Sequence, residues 1–115
     1  MRRSDDQIVG GACEDVYRGV SYELELHMAP WLDEAEADAL RAETLRLLVP
    51  WQRDERDAMV VITQIPADQP LTIAAAEEVG MRPTARLRRH IARPGHRVDL
   101  LFYEVFNPRW EARRA

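Results

Sequence analysis

The stretch SYELELHM, residues 21 to 28, places Glu23, Glu25 and His27 at alternate positions. In an extended chain that spacing sets all three side chains on one face, with Tyr22, Leu24, Leu26 and Met28 on the other. Carboxylates beside an imidazole on a partly buried strand face can act as a general acid/base group, and the three are the candidate catalytic residues. The alternative for the same pattern is a solvated strand face or a polar contact with a second copy. Trp31, Trp51 and Tyr103 are candidates to line an apolar substrate pocket, although aromatics of this kind also serve as core or interface residues. His27, His90 and His96 lack any spacing to Glu25 or to each other that specifies a metal site, and no metal is expected. Cys13 is the only cysteine, so an intrachain disulfide or a cysteine-rich zinc site is excluded, and a free thiol is expected.

Composition bounds what such a site can belong to. A chain of 115 residues, 46% hydrophobic and 31% charged, fits one compact domain with a modest core. The first residues, MRRSDDQIVGG, lack the apolar run of a secretory leader, and no later segment is long and apolar enough to span a bilayer. A cytoplasmic protein with no membrane partner is expected. The net charge of −4 conceals a division: residues 1–79 carry 17 acids and 7 arginines, whereas residues 80–115 carry 9 arginines and 3 acids. A basic half can meet nucleic acid, nucleotide phosphates or the chain's own acidic half. With few aromatics and no binding motif beside the arginines, nucleic acid is not expected as a partner. Arg86, Arg88 and Arg89 fall on both faces of one strand and cannot form a single patch.

The elements that must position these residues follow from periodicity. Residues 1–15, with charge and Gly10–Gly11, read as a flexible arm, residues 16–110 as a single domain and residues 111–115 as a tail. A strand from Tyr17 is ended by Pro30. Asp33 with Glu36 three positions on has the form of a capping box, and a helix is expected from about Glu34 to Val49, stopped by Pro50, with Ala37, Leu40, Thr44, Leu47 and Leu48 inward. AMVVITQI reads as a buried strand. DQPLTIAAAEEVG, with Asp68 or Gln69 as cap, Pro70 near the first helical position and Gly80 past the end, reads as a short helix. TARLRRHIA and RVDLLFYEVF, joined by RPGH, read as a hairpin. The order strand, helix, strand, helix, strand, strand predicts an α/β layer with a parallel pair at its centre.

With these elements in place, QPLTIAAAEEVGM, TARLRRHI, PGH and DLLFYEVFNPRW resemble the C-terminal half of the GNAT superfamily of acyl-CoA-dependent N-acetyltransferases, specifically the branch that acetylates ribosomal proteins. HMAPWLDEAEADALRAETL occupies the place of that family's fourth strand and cofactor-binding helix, matching in pattern rather than in motif. The resemblance implies a truncated GNAT-like fold. Full members carry about fifty further residues ahead of this region, and a lone half exposes a sheet edge and a helix-free face. Completion of a mixed sheet by homodimerisation is therefore expected.

Two departures bear on activity. The family's loop into its cofactor helix reads like Q/R-x-x-G-x-G/A, with glycines that admit the CoA pyrophosphate to backbone amides. Here PWLDEAEA has neither glycine nor arginine and sets Asp33, Glu34 and Glu36 at the positive helix end, so the resemblance implies a degenerate CoA loop with acetyl-CoA binding in doubt and cofactor-binding residues unknown. Arg82 or Arg86 could compensate from outside the loop. The family's thiolate-protonating tyrosine falls within AAAEE, where no hydroxyl is present. Three functions follow as expectations: a divergent small enzyme acting on an acyl or other small-molecule substrate between splayed central strands, a non-catalytic dimerising module, and an acetyl-CoA-dependent N-acetyltransferase.

Overall fold

The computed structural model describes residues 7–110, in which two helices pack on one face of a five-stranded mixed sheet. The elements are β1 (Gly10–Tyr17), β2 (Ser21–Met28), α1 (Glu34–Asp54), β3 (Val60–Pro66), α2 (Pro70–Glu78), β4 (Arg82–Arg93) and β5 (His96–Phe106). The sheet order is β1-β2-β3-β5-β4, with β2 and β3 parallel and every other pair antiparallel. This is the expected α/β order with one strand added in front.

That added strand corrects the reading of residues 10–15 as an arm. β1 pairs with β2 along its whole length, from Gly10 opposite Met28 to Tyr17 opposite Ser21. Arg18 and Gly19 form the turn between them, both at positive φ as a type I′ hairpin requires, so Tyr17 ends one strand rather than starting the next. None of the β1 side chains is fully buried. The strand is held by its backbone ladder, and it leaves little hydrophobic pattern to read. Residues 1–6 and the tail at 111–115 lie outside the described residues.

The core lies between the sheet and the helices. Tyr22 and Leu24 from β2, Val61 and Ile65 from β3 and Tyr103 from β5 alternate inward against Ala42, Leu45 and Val49 of α1 and Ala75 and Ala76 of α2. Burying several large aliphatic side chains at roughly 1.5–3 kcal/mol each supplies the main drive for this arrangement.

Helix α1 does not stop at Pro50. It runs through the proline to Asp54 because its end is anchored from outside. Asn107 Nδ2 donates to the carbonyls of Arg53 and Ala58, both at 2.9 Å, and Arg109 donates to those of Arg53 and Asp54. The buried Gln52 donates to Glu14 of β1 at 2.6 Å. These bonds offset the single helical bond that a proline removes. The inward face is also rotated from the expected one: Ala37 and Thr44 are buried, Leu40 and Leu48 are not fully so, and Leu47 is 74% exposed. Asp38, Leu45 and Val49 take the interior positions.

Candidate functional site: a fork between the two parallel strands

β2 and β3 pair only from Ser21 opposite Val60 to Leu24 opposite Thr63, although β2 continues to Met28 and β3 to Pro66. Beyond Leu24 and Thr63 the strands part. Each follows its outer neighbour: β2 stays paired with β1 out to Met28, and β3 with β5 out to Pro66, which has no N–H to offer back. Two groups bridge the start of the fork. Thr63 Oγ1 donates to the Leu24 carbonyl at 2.9 Å, and Gln64 Nε2 donates to Glu23 at 3.1 Å.

Both faces of the fork are hollow. On the helix side a cavity of about 180 Å³ is lined by Leu26, Arg41, Thr63, Ile65, Gln69 and Thr72, among others. On the opposite side a cleft of about 240 Å³ is lined by Glu23, Glu25, His27, Gln64, Ile91 and Leu100, among others. Leu26, Gln64 and Pro66 belong to both. The three candidate catalytic residues therefore share a wall, as their spacing implied. His27 Nε2 lies 3.4 Å from Glu25 Oε2, with both side chains more than half exposed, while Glu23 is engaged by Gln64.

The three aromatic candidates do not come together. Trp31, in the loop between β2 and α1, is 61% exposed. Trp51, on the last turns of α1, stacks with Arg56 and lines a separate cleft against β1. Tyr103 is 3% exposed in the core, facing α2 rather than the fork, and donates to Glu77 at 3.2 Å. Burial, reinforced by that bond, pushes its phenol above the usual tyrosine range. Among the described residues no cluster of three or more His, Cys, Asp or Glu is arranged to hold a metal ion. His96 lies exposed in the hairpin turn against the Pro94 carbonyl.

The structure also brings forward residues that the motif reading passed over. Arg41 reaches the helix-side cavity from α1, and Asp38, one turn earlier, caps the next helix: its carboxylate accepts from the amides of Leu71 and Thr72, both at 2.9 Å, and from the Thr72 hydroxyl at 2.5 Å. Ala37, Arg41, Thr44 and Leu48 share one face of a 3.6-residue period, so a charged residue among inward positions was the available signal.

The fold has solved counterparts. A presumed acetyltransferase from Sphaerobacter thermophilus superposes with a TM-score of 0.84 and 47% identity, over 92% of this chain and 61% of that one. A GNAT-family acetyltransferase from Bacillus anthracis gives 0.64 at 15% identity, covering 91% and 62% of the two chains, and the spermidine/spermine N-acetyltransferase SpeG from Vibrio cholerae 0.67 at 12%, covering 99% and 66%. No protein-family model matches the sequence, and no curated protein does. The chain has a GNAT-like fold, and these structural neighbours are acetyltransferases, the Bacillus anthracis one of the GNAT family. It spans about three-fifths of the first neighbour's length. Among the described residues no helix is long and apolar enough to cross a membrane.

Proposed function

We propose that the chain is a divergent GNAT-like enzyme that receives a small acyl-bearing or related substrate in the fork between β2 and β3. The observation that carries this reading is the fork itself, open on both faces, with an acid/base pair on one wall. A ligand lying through it would touch Leu26 and Gln64, and would meet Glu25 and His27 on the helix-free side. There His27, with Nε2 turned toward Glu25, can take a proton at Nδ1 while Glu25 stabilises the resulting imidazolium.

The start of α1 does not fit a nucleotide pyrophosphate. The Asp33 carboxylate already occupies the Glu36 amide at 2.8 Å, and Glu34 and Glu36 add negative charge to the first turn. Anionic side chains there stabilise the helix by about 0.3–1 kcal/mol each and oppose an incoming phosphate. The site is therefore read as one with a degenerate CoA loop.

The test is acetyl transfer from an acetyl thioester to a panel of primary amines. His27→Ala and Glu25→Ala, in protein that keeps its melting temperature, are expected to lower the rate by about a hundredfold or more. Unchanged rates in both variants would overturn the assignment of the pair.

A second reading, a dimerising module, is favoured by the place of β1 at the end of the sheet order. Ile8, Val16 and Tyr17 are exposed there, and a cleft of about 520 Å³ lies against Val16, Tyr17, Glu23 and Ile62. A homodimer through this edge is expected to sediment at twice the monomer mass, and Val16→Lys to abolish that species.

A further inference from the structure

We infer that the helix-side cavity of the fork is an oxyanion site, in which Arg41 takes the carboxylate or phosphate terminus of a small ligand in exchange for Glu34. The inference deepens the proposed function and rests on it for the place where substrate enters.

Arg41 projects from the inner face of α1, its side chain only 16% exposed. Its Nη1 is fully buried and makes no hydrogen bond. Glu34 is the carboxylate paired with it, but Oε2 stands 3.8 Å away, outside hydrogen-bond reach, on a side chain that is 79% exposed. A loosely held surface carboxylate of this kind contributes little and exchanges easily. A buried guanidinium nitrogen without an acceptor, by contrast, carries a standing desolvation cost that a better-placed anion would remove.

The other acids nearby cannot supply that anion. Asp38, one turn back on α1, spends its oxygens on the start of α2. Asp68 is held by two nitrogens of Arg93, at 2.8 and 3.1 Å. The hydroxyl protons of Thr63 and Thr72 are likewise committed, to the Leu24 carbonyl and to Asp38. Charge in the cavity is thus cationic at the Arg41 end, with Leu26, Ile65 and Pro66 as the apolar remainder. About 180 Å³ admits a terminal group the size of acetate or phosphate rather than a drug-sized molecule. Recognition would come through charge-assisted hydrogen bonds to a planar guanidinium, which suits both oxyanions.

The experiment is an amide-resolved NMR titration of the full chain with sodium acetate and with sodium phosphate, at constant ionic strength against chloride. S-acetylpantetheine is titrated separately as a probe of the fork. Saturable shifts at Thr63, Gln69 and Thr72 are expected, and whichever anion saturates first names the source of the oxyanion. Glu34→Gln, an exposed change that leaves the fold intact, should tighten binding severalfold. Arg41→Gln should weaken it about tenfold or more, with Arg41→Lys recovering part of the loss. No saturable shift in either the parent protein or the Glu34→Gln variant would overturn the site, as would shifts confined to the exposed arginines of β4. If S-acetylpantetheine moves Leu26 and Gln64 while neither anion binds, the oxyanion site falls and the acyl reading stands. If anion binding is lost with Arg41→Gln but S-acetylpantetheine gives no response, the oxyanion site stands and the acyl reading falls.

Discussion

The two helices begin in opposite ways. The start of α1 is closed by its own neighbours, with Asp33 capping the Glu36 amide from the preceding loop and Asp33 and Glu34 exposed to solvent. The start of α2 is closed by Asp38, a residue 5% exposed and borrowed from α1, while its own cap position, Gln69, supplies no side-chain bond. A local cap and a distant cap satisfy the same unpaired amides, but only the distant one ties two elements together. The difference decides what each end of the fork offers a ligand: acids at the exposed start of α1, and beside α2 a guanidinium whose neighbouring carboxylate is already spent.

Removing the two caps should separate them by magnitude. Asp38→Ala leaves two amides and a hydroxyl of α2 without their acceptor in the interior and is expected to cost about 2–4 kcal/mol, read by denaturant unfolding. Asp38→Asn, which keeps an acceptor oxygen, should recover a substantial part of it. Asp33→Ala, at the exposed cap, should cost only about 1 kcal/mol. Equal losses at the two positions would contradict the distinction between the buried tie and the surface cap.

The smallest effect concerns pH. Arg93 holds the Asp68 carboxyl below its ordinary range, Arg53 does the same for Asp54, and the Arg89 backbone amide, followed by Arg86, for Asp99. A lowered carboxyl pKa contributes stability that is fully present above the unfolded value, about 3.9, and is lost as pH falls through the folded one. The melting temperature should therefore hold between about pH 7 and 5 and decline below about pH 4, with a shallower decline in Arg93→Gln. A decline beginning above about pH 5 would point to other groups.

The same contrast between local and distant partners explains what the sequence disclosed. The Asp33 cap, Pro70 in the first turn of α2 and Gly80 at φ +90° beyond its end are marked by adjacent residues, and all were legible. The alternation of Glu23, Glu25 and His27 was legible too, since a strand face needs only a period of two. Strand β1 was not, because its side chains are exposed or half-buried and its partner supplies the order through backbone pairing. Pro50 misled because the groups that carry α1 past it come from Asn107 and Arg109, distant in the chain. The convergence of Arg41 with Thr63 and Thr72 depends on three elements meeting at the fork, which no single stretch of sequence encodes.

The most direct test of the fork as the functional site is an amide-resolved NMR comparison of S-acetylpantetheine with acetyl-CoA, two ligands that share the acyl thioester and differ in the nucleotide pyrophosphate. The account predicts that both shift Leu26, Thr63 and Gln64, that acetyl-CoA binds no more tightly than the shorter compound, and that the Glu34 and Ala35 amides at the start of α1 stay unmoved. Acetyl-CoA binding that engages those amides, or the absence of any response at the fork, would contradict it.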